Sequence, residues 1–193
     1  MKNQDYLYLD HAASTPMRTS ALEKYVEAES FGFANSSGGH KLSRDSKNLL
    51  EDSREKIAGL FNAAPGEIIF TSGGTEADNW TIKSLFESKK PDDNLVTSNI
   101  EHEAVLASAE WVSINGYQTK YAKSDENGFV SKDEFLNQID DNTKVASLMW
   151  GNNETGVIQP VKDVSKEIKS VNSSTLFHSC LLYTSDAADE LRS

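Results

Sequence analysis

Two glycines flanked by hydroxyl side chains, in Phe70-Thr71-Ser72-Gly73-Gly74-Thr75-Glu76-Ala77-Asp78-Asn79, have the form of a phosphate cup. The apolar Ile68-Ile69-Phe70 ahead of them reads as a buried strand, and Thr75 and Glu76 open an amphipathic run with Trp80, Leu85 and Phe86. Glycines where a strand turns into a helix let the backbone approach a ligand without a Cβ clash. Unpaired N–H groups and the positive end of the helix dipole then favour a phosphate. The same pattern also fits an ordinary strand-to-helix turn in which Thr75 is only an N-cap. Three further segments gather side chains of chemical use: Tyr8-Leu9-Asp10-His11-Ala12-Ala13-Ser14-Thr15-Pro16, Asn99-Ile100-Glu101-His102-Glu103-Ala104-Val105-Leu106, and Gly151-Asn152-Asn153-Glu154-Thr155-Gly156-Val157.

In their order and spacing the four segments resemble the cysteine desulfurases of the NifS/IscS type, in the class-V aminotransferase group, from about Tyr6 to His178. The resemblance implies an α/β chain that forms part of the large pyridoxal-phosphate-binding domain of a fold-type I transferase, its mostly parallel sheet flanked by helices. It implies pyridoxal 5'-phosphate as cofactor, L-cysteine as substrate, and L-alanine with an enzyme persulfide as products. A sulfur-acceptor protein, of the scaffold or tRNA-thiolation type, is the implied partner, and the intact protein is expected to be a homodimer. Iron–sulfur cluster assembly, tRNA thiolation and nitrogenase maturation are all compatible destinations for the sulfur.

Residue by residue, Gly74 and Thr75 match the family's phosphate-binding positions, and Thr75 has a hydroxyl to donate besides its N–H. His102 matches the histidine that stacks on the cofactor ring and is placed for proton transfer; an imidazole is flat and titrates near neutrality. The flanking Glu101 and Glu103 can act on that titration if they lie close. Asn153 matches the residue that hydrogen-bonds the cofactor's phenolic oxygen, with Asn152 as the alternative ligand. Glu154 and Gly156 read as loop-shaping residues. His11 and His40 are expected to be structural or to line the entrance, and Glu76 and Asp78 are given no chemistry. Two rival readings stand beside this one. A selenocysteine-lyase-like or aminotransferase member of the same group shares much of the pattern, although Asn152-Asn153-Glu154-Thr155-Gly156 favours the NifS/IscS branch. A noncatalytic fragment that binds a ligand or partner is the alternative from another class.

The resemblance stops after Thr175-Leu176-Phe177-His178. Two positions on, the family carries an aspartate that pairs with the pyridine nitrogen, whereas this chain has Cys180. The string from Cys180 to Ser193 resembles one reading frame of a transposase-type sequencing adapter. Residues 1–179 are therefore expected to be a truncated cofactor-binding large domain with an N-terminal segment, and 180–193 a non-native tail. A short divergent C-terminus is the alternative. The family's cofactor-binding lysine and persulfide-bearing loop cysteine have no counterpart in the 193 residues, so the chain on its own is expected to be inactive.

Composition narrows the field further. A formal net charge of −11 gives no basic stripe for nucleic acid, so no direct nucleic-acid partner is expected. Cys180 is the sole cysteine, which removes a disulfide framework or cysteine-based metal site, and no metal is expected. No apolar run reaches spanning length and the start lacks a signal-peptide core, so the expected location is the cytoplasm, away from a membrane.

The elements that must position these residues follow from periodicity. Ser20-Ala21-Leu22-Glu23 fits a capping box opening a helix to about Glu29. Leu42, Leu49, Leu50, Ile57, Leu60 and Phe61 mark a long helix that stops before Pro65. Strands are expected at residues 94–98, 118–122, 145–150 and 175–177. Between them fall helices marked by Val105, Ala109 and Val112, by the box Ser131-Lys132-Asp133-Glu134, and by Val161, Val164 and Ile168. Alternating strands and helices give a parallel sheet whose ligands sit outside the carboxyl ends of the strands.

Overall fold

The computed structural model describes residues 7–11, 13–87, 90 and 92–181. They divide into two compact units, one on each side of the Phe70–Thr71 bond.

The first unit is helical. Helix α1 spans Thr19–Phe31 and α2 spans Lys41–Leu60, followed by a 3-10 turn at Pro65–Glu67. Helix α1 starts from Arg18 without a side-chain cap, so the expected box at Ser20 does not form. Ser20 is already inside the helix, where its hydroxyl cannot serve the first turn. His40 caps α2 instead: its Nδ1 accepts the Ser43 N–H at 3.2 Å, which gives that histidine a structural role. His11 packs edge-on against Tyr8, with ring centroids 5.0 Å apart. The expected strand at Ile68-Ile69-Phe70 does not form. Arg54 of α2 donates to the Ile68 carbonyl and lies over the Phe70 ring, and Ile69 remains 61% exposed. The Ile68 carbonyl is bonded to a side chain of α2 rather than to a neighbouring strand, and apolar character alone did not decide burial here.

The second unit carries a sheet of strands β1 (Asn94–Ser98), β2 (Gln118–Ala122), β3 (Thr143–Ser147) and β4 (Leu176–His178), ordered β2-β1-β3-β4. All three pairings are parallel, as the alternation of strands and helices requires. Helices α3 (Gly74–Ser84) and α4 (Glu103–Ile114) cover one face, where Ile82, Phe86, Val105, Ala109 and Val112 pack on Leu95 and Val145. Helices α5 (Lys132–Leu136) and α6 (Val161–Val171) cover the other, where Phe135, Val164 and Ile168 meet Val96, Ala146 and Leu148. Neighbouring residues of one strand thus serve opposite layers, the period of two that a strand imposes. Strand β1 is buried throughout because both layers close over it.

Local signals set the ends of these elements. Ser131 accepts the Glu134 N–H at 3.1 Å and caps α5 as expected. Ser131→Ala is expected to lower the stability of this unit by about 1 kcal/mol, measured by urea unfolding. Gly116 closes the α4–β2 turn at φ +92°, a conformation that suits glycine.

Candidate functional site at the carboxyl edge of the sheet

Parallel strands end at one edge, and the helices that follow them begin there. Helix α3 begins at Gly74 behind the N-cap Gly73, so Thr75 occupies the second helical position and is not the cap. Ala77 is the first residue whose N–H bonds back along the helix, to the Gly73 carbonyl at 3.1 Å. The N–H groups of Gly74 and Thr75 precede it and have no acceptor four residues earlier within the helix. The Thr75 side chain is exposed. Glu76 folds back to accept the Ser72 N–H at 2.6 Å and the Ser72 hydroxyl at 2.7 Å. Those two bonds, the backbone one foremost, hold its carboxyl below the ordinary range. The acid shapes the turn, and Gly74 and Thr75 supply the outward donors.

His102 follows β1 and caps α4, its Nδ1 accepting the Ala104 N–H at 3.1 Å. An accepting Nδ1 puts the proton of the neutral ring on Nε2, so Nε2 is the nitrogen free to exchange with a ligand. The ring is half-buried. Its two acidic neighbours diverge: Glu103 is exposed, whereas Glu101 is buried and turns into the protein.

Asn152 and Asn153 follow β3, and their side chains differ in use. Asn152 donates its amide to the Ile100 carbonyl at 2.9 Å. Its Oδ1 accepts the N–H groups of Glu154 and Thr155 at 3.0 and 2.8 Å. That side chain is spent on holding the loop, which Gly156 closes at φ +74°. Asn153 is half-buried, and its side-chain amide has no hydrogen-bond partner among the described residues. Of the two, Asn152 is engaged within the protein, through Ile100, Glu154 and Thr155.

The turns after β1 and β3 are bonded to each other. Glu101 Oε1 accepts the Met149 N–H at 2.8 Å, and Asn152 reaches Ile100 in return. His102 and the Asn153 loop are therefore brought together. The α3 end is tied to β4, since Asp78 Oδ1 lies 3.2 Å from His178 Nε2. Asp78 is one turn past Thr75, so the cup helix meets the same edge.

Asp78, Glu101 and His178 are the residues that sequence reasoning undervalued. His178 Nδ1 is 2.8 Å from Ser147 Oγ, and Cys180 Sγ is 3.3 Å from Asp78 Oδ2, giving a buried polar chain across α3, β3 and β4. One signal for it was present. Asp78 precedes Ile82 by four residues and Phe86 by eight, so it is a charge on the apolar stripe of its own helix. Cys180 packs against the same apolar cluster, and its carbonyl accepts the Trp150 N–H at 3.2 Å. The packing therefore does not break between 179 and 180, where the tail was expected to start. Residues 182–193, the rest of that tail, lie outside the described residues.

A polar cleft of about 550 Å³, lined by Asp92, Asp93, Asp141 and Lys144 among others, sits at the opposite, amino edge of the sheet and shares no residue with this site. Among the described residues no helix is long and apolar enough to cross a membrane, and no group of His, Cys, Asp and Glu side chains is suited to a metal ion.

Comparison with known proteins gives a consistent picture. The family profile for class-V aminotransferases matches residues 7–180. Cysteine desulfurase IscS of Methanosarcina thermophila is 38% identical over 164 residues, covering 84% of this chain and 41% of its own length. The putative cysteine desulfurase IscS 1 of Bacillus subtilis is 38% identical over 84% of this chain and 43% of its own. Among solved structures, a NifS-like protein superposes with a TM-score of 0.86 at 34% identity, over 90% of this chain and 48% of that one. SspA in complex with cysteine gives 0.83 at 32% identity, over 89% of this chain and 49% of that one. This chain spans about two fifths of the length of these curated relatives.

Proposed function

We propose that this chain, which belongs to the class-V aminotransferase family, is the cofactor-cradling part of a pyridoxal-phosphate-dependent cysteine desulfurase. The observation that carries the reading is the convergence of the α3 N-terminus, His102 and Asn153 on the carboxyl edge of one parallel sheet. The names of its relatives support L-cysteine as the substrate, and L-alanine with an enzyme persulfide as products is proposed on the resemblance. A sulfur-acceptor protein and a second copy of the chain are proposed on the resemblance alone, and a cytoplasmic setting on the composition of the sequence.

Pyridoxal phosphate fits the residues present at three points. The N–H groups of Gly74 and Thr75, with the Thr75 hydroxyl, suit its phosphate, because the helix dipole and unpaired donors act together there. The His102 ring is flat and half-buried, which suits stacking. The Asn153 amide suits a phenolic oxygen. Position 180 fits less well, as it presents a thiol engaged with Asp78 where the family has a carboxylate. When bound, the cofactor supplies an electron sink for bonds broken at the substrate. The chain's own residues do the rest: the cup fixes the phosphate, Asn153 orients the ring, and His102 moves a proton through Nε2 while Nδ1 stays on Ala104.

The test is alanine and sulfide production from L-cysteine by the full-length protein loaded with cofactor. Production at the free-cofactor background would reject the desulfurase reading. Thr75→Ala removes one hydrogen bond to a charged phosphate, worth about 1.5–3 kcal/mol. It is expected to weaken cofactor retention by roughly 10- to 150-fold, read as cofactor content after dialysis.

A further inference from the structure

Glu101 is a carboxyl with one oxygen fully used and the other unused. Oε1 accepts the Ser98 hydroxyl and the Met149 N–H, both at 2.8 Å. Oε2 is buried with no hydrogen-bond partner among the described residues. The side chain is only 6% exposed, although its neighbours on either side, Ile100 and His102, are half-buried. An acid turned inward from an exposed turn costs free energy unless it holds something in place. What it holds is clear from topology, because Ser98 ends β1 and Met149 leaves β3.

We infer that Glu101 is a positioning residue, a clamp that fixes the turn bearing His102 against the strand exit bearing Asn153. His102 is the next residue in the chain, so its cap on α4 inherits the position of the Glu101 backbone. Met149 leads through Trp150 and Gly151 into Asn152, which returns a second bond to Ile100, the residue before Glu101. The two bonds close a ring through Ile100, Glu101 and Met149 to Asn152, and each proposed cofactor contact, His102 and Asn153, is the next residue in the chain outside it. One carboxyl thereby sets the spacing between the group for the ring face and the group for the phenolic oxygen.

The clamp is expected to respond to pH. Burial pushes the Glu101 carboxyl up to about 8, against the lowering effect of the Met149 and Ser98 bonds, and Asp78 adds to the rise. Asp78 on α3 is the charged group that acts on it, and Asp78 is itself paired with His178 of β4. Glu103 of α4 is exposed, and the neighbours from β1 and β3 are the uncharged Ser98 and Met149. Below the transition the carboxyl carries a proton. Above it a buried anion forms within the ring, and the bonds around it must change.

The role rests on the reading of His102 and Asn153 as cofactor contacts, but its test needs no cofactor. Failure of the clamp is thus distinct from failure of pyridoxal phosphate to bind. The experiment is a pH titration of the 193-residue chain followed by ¹H–¹⁵N correlation spectra from pH 6 to 9.5. The N–H signals of Met149, Ala104 and Asn153 are expected to move together with one midpoint near 8. Glu101→Gln, which keeps the accepting oxygen but cannot titrate, is expected to abolish that common transition. Ser98→Ala, which removes a donor that favours the anion, is expected to raise the shared midpoint, so the test does not depend on one variant folding. Movement of Met149 alone, no transition, or a transition unchanged in both variants would overturn the inference.

Discussion

Replacing His102 with alanine is expected to slow cysteine turnover by the full-length protein by about 10²–10⁴-fold, the usual cost of losing one positioned acid–base group. Cofactor content after dialysis is expected to stay near the parental level, because the donors of Gly74 and Thr75 belong to a different helix. Alanine also removes the Nδ1 cap of α4, and a lost cap costs about 1 kcal/mol. His102→Asn separates the two roles: asparagine caps a helix well but carries no titrating ring. Turnover as slow in His102→Asn as in His102→Ala, with stability recovered, is the expected pattern. Parental turnover in either variant would remove His102 from the chemistry.

The second large effect is on stability. A carboxyl raised in the folded state from an ordinary 4.5 to about 8 keeps its proton while the unfolded chain has lost it. Stability is therefore fully present below about 4.5, falls as pH rises through the window, and levels off above about 8. At about 1.4 kcal/mol per pK unit, the total is on the order of a few kcal/mol. Glu101→Gln is expected to flatten that limb and to be more stable than the parent at pH 8. The measurement is urea unfolding across pH 5 to 9. A parental curve that rises over this range would contradict the buried neutral acid.

Asp140 acts in a separate window and with the opposite sign. Burial opposes its ionisation, but bonds from Lys120, Asn94 and Thr143 outweigh that and hold the carboxyl down to about 2. Its contribution is present above the ordinary 3.8 and is lost as pH falls toward 2, clear of the Glu101 transition.

Much of the α/β unit was legible because its signals are local. The apolar stripe Val161-Val164-Ile168, the box at Ser131 and the strand at residues 94–98 each depend on near neighbours. The failures share a different cause. Ile68-Ile69-Phe70 has the composition of a strand, but Arg54, fourteen residues earlier, takes the Ile68 carbonyl. Ser20 and Glu23 have the spacing of a cap, but the helix has already begun at Thr19.

The candidate site divides in the same way. Gly74, Thr75, His102 and Asn153 were proposed from motif and spacing, whereas the residues that hold them in place were not. Glu101 joins Met149 across 48 positions and Asp78 meets His178 across 100, separations that no local pattern encodes. The proposal of Asn153 over Asn152 draws on the long-range bond from Asn152 to Ile100, which no local pattern shows.

The central claim is that the carboxyl edge of this sheet holds pyridoxal phosphate through Gly74, Thr75, His102 and Asn153. The most direct measurement is ¹H–¹⁵N mapping of the 193-residue chain titrated with pyridoxal 5'-phosphate and, separately, with pyridoxal, which lacks the phosphate. The account predicts shifts at all four residues with the phosphorylated compound, and loss of those at Gly74 and Thr75 with pyridoxal. Shifts confined to surface lysines, with the four residues unmoved by either compound, would contradict it.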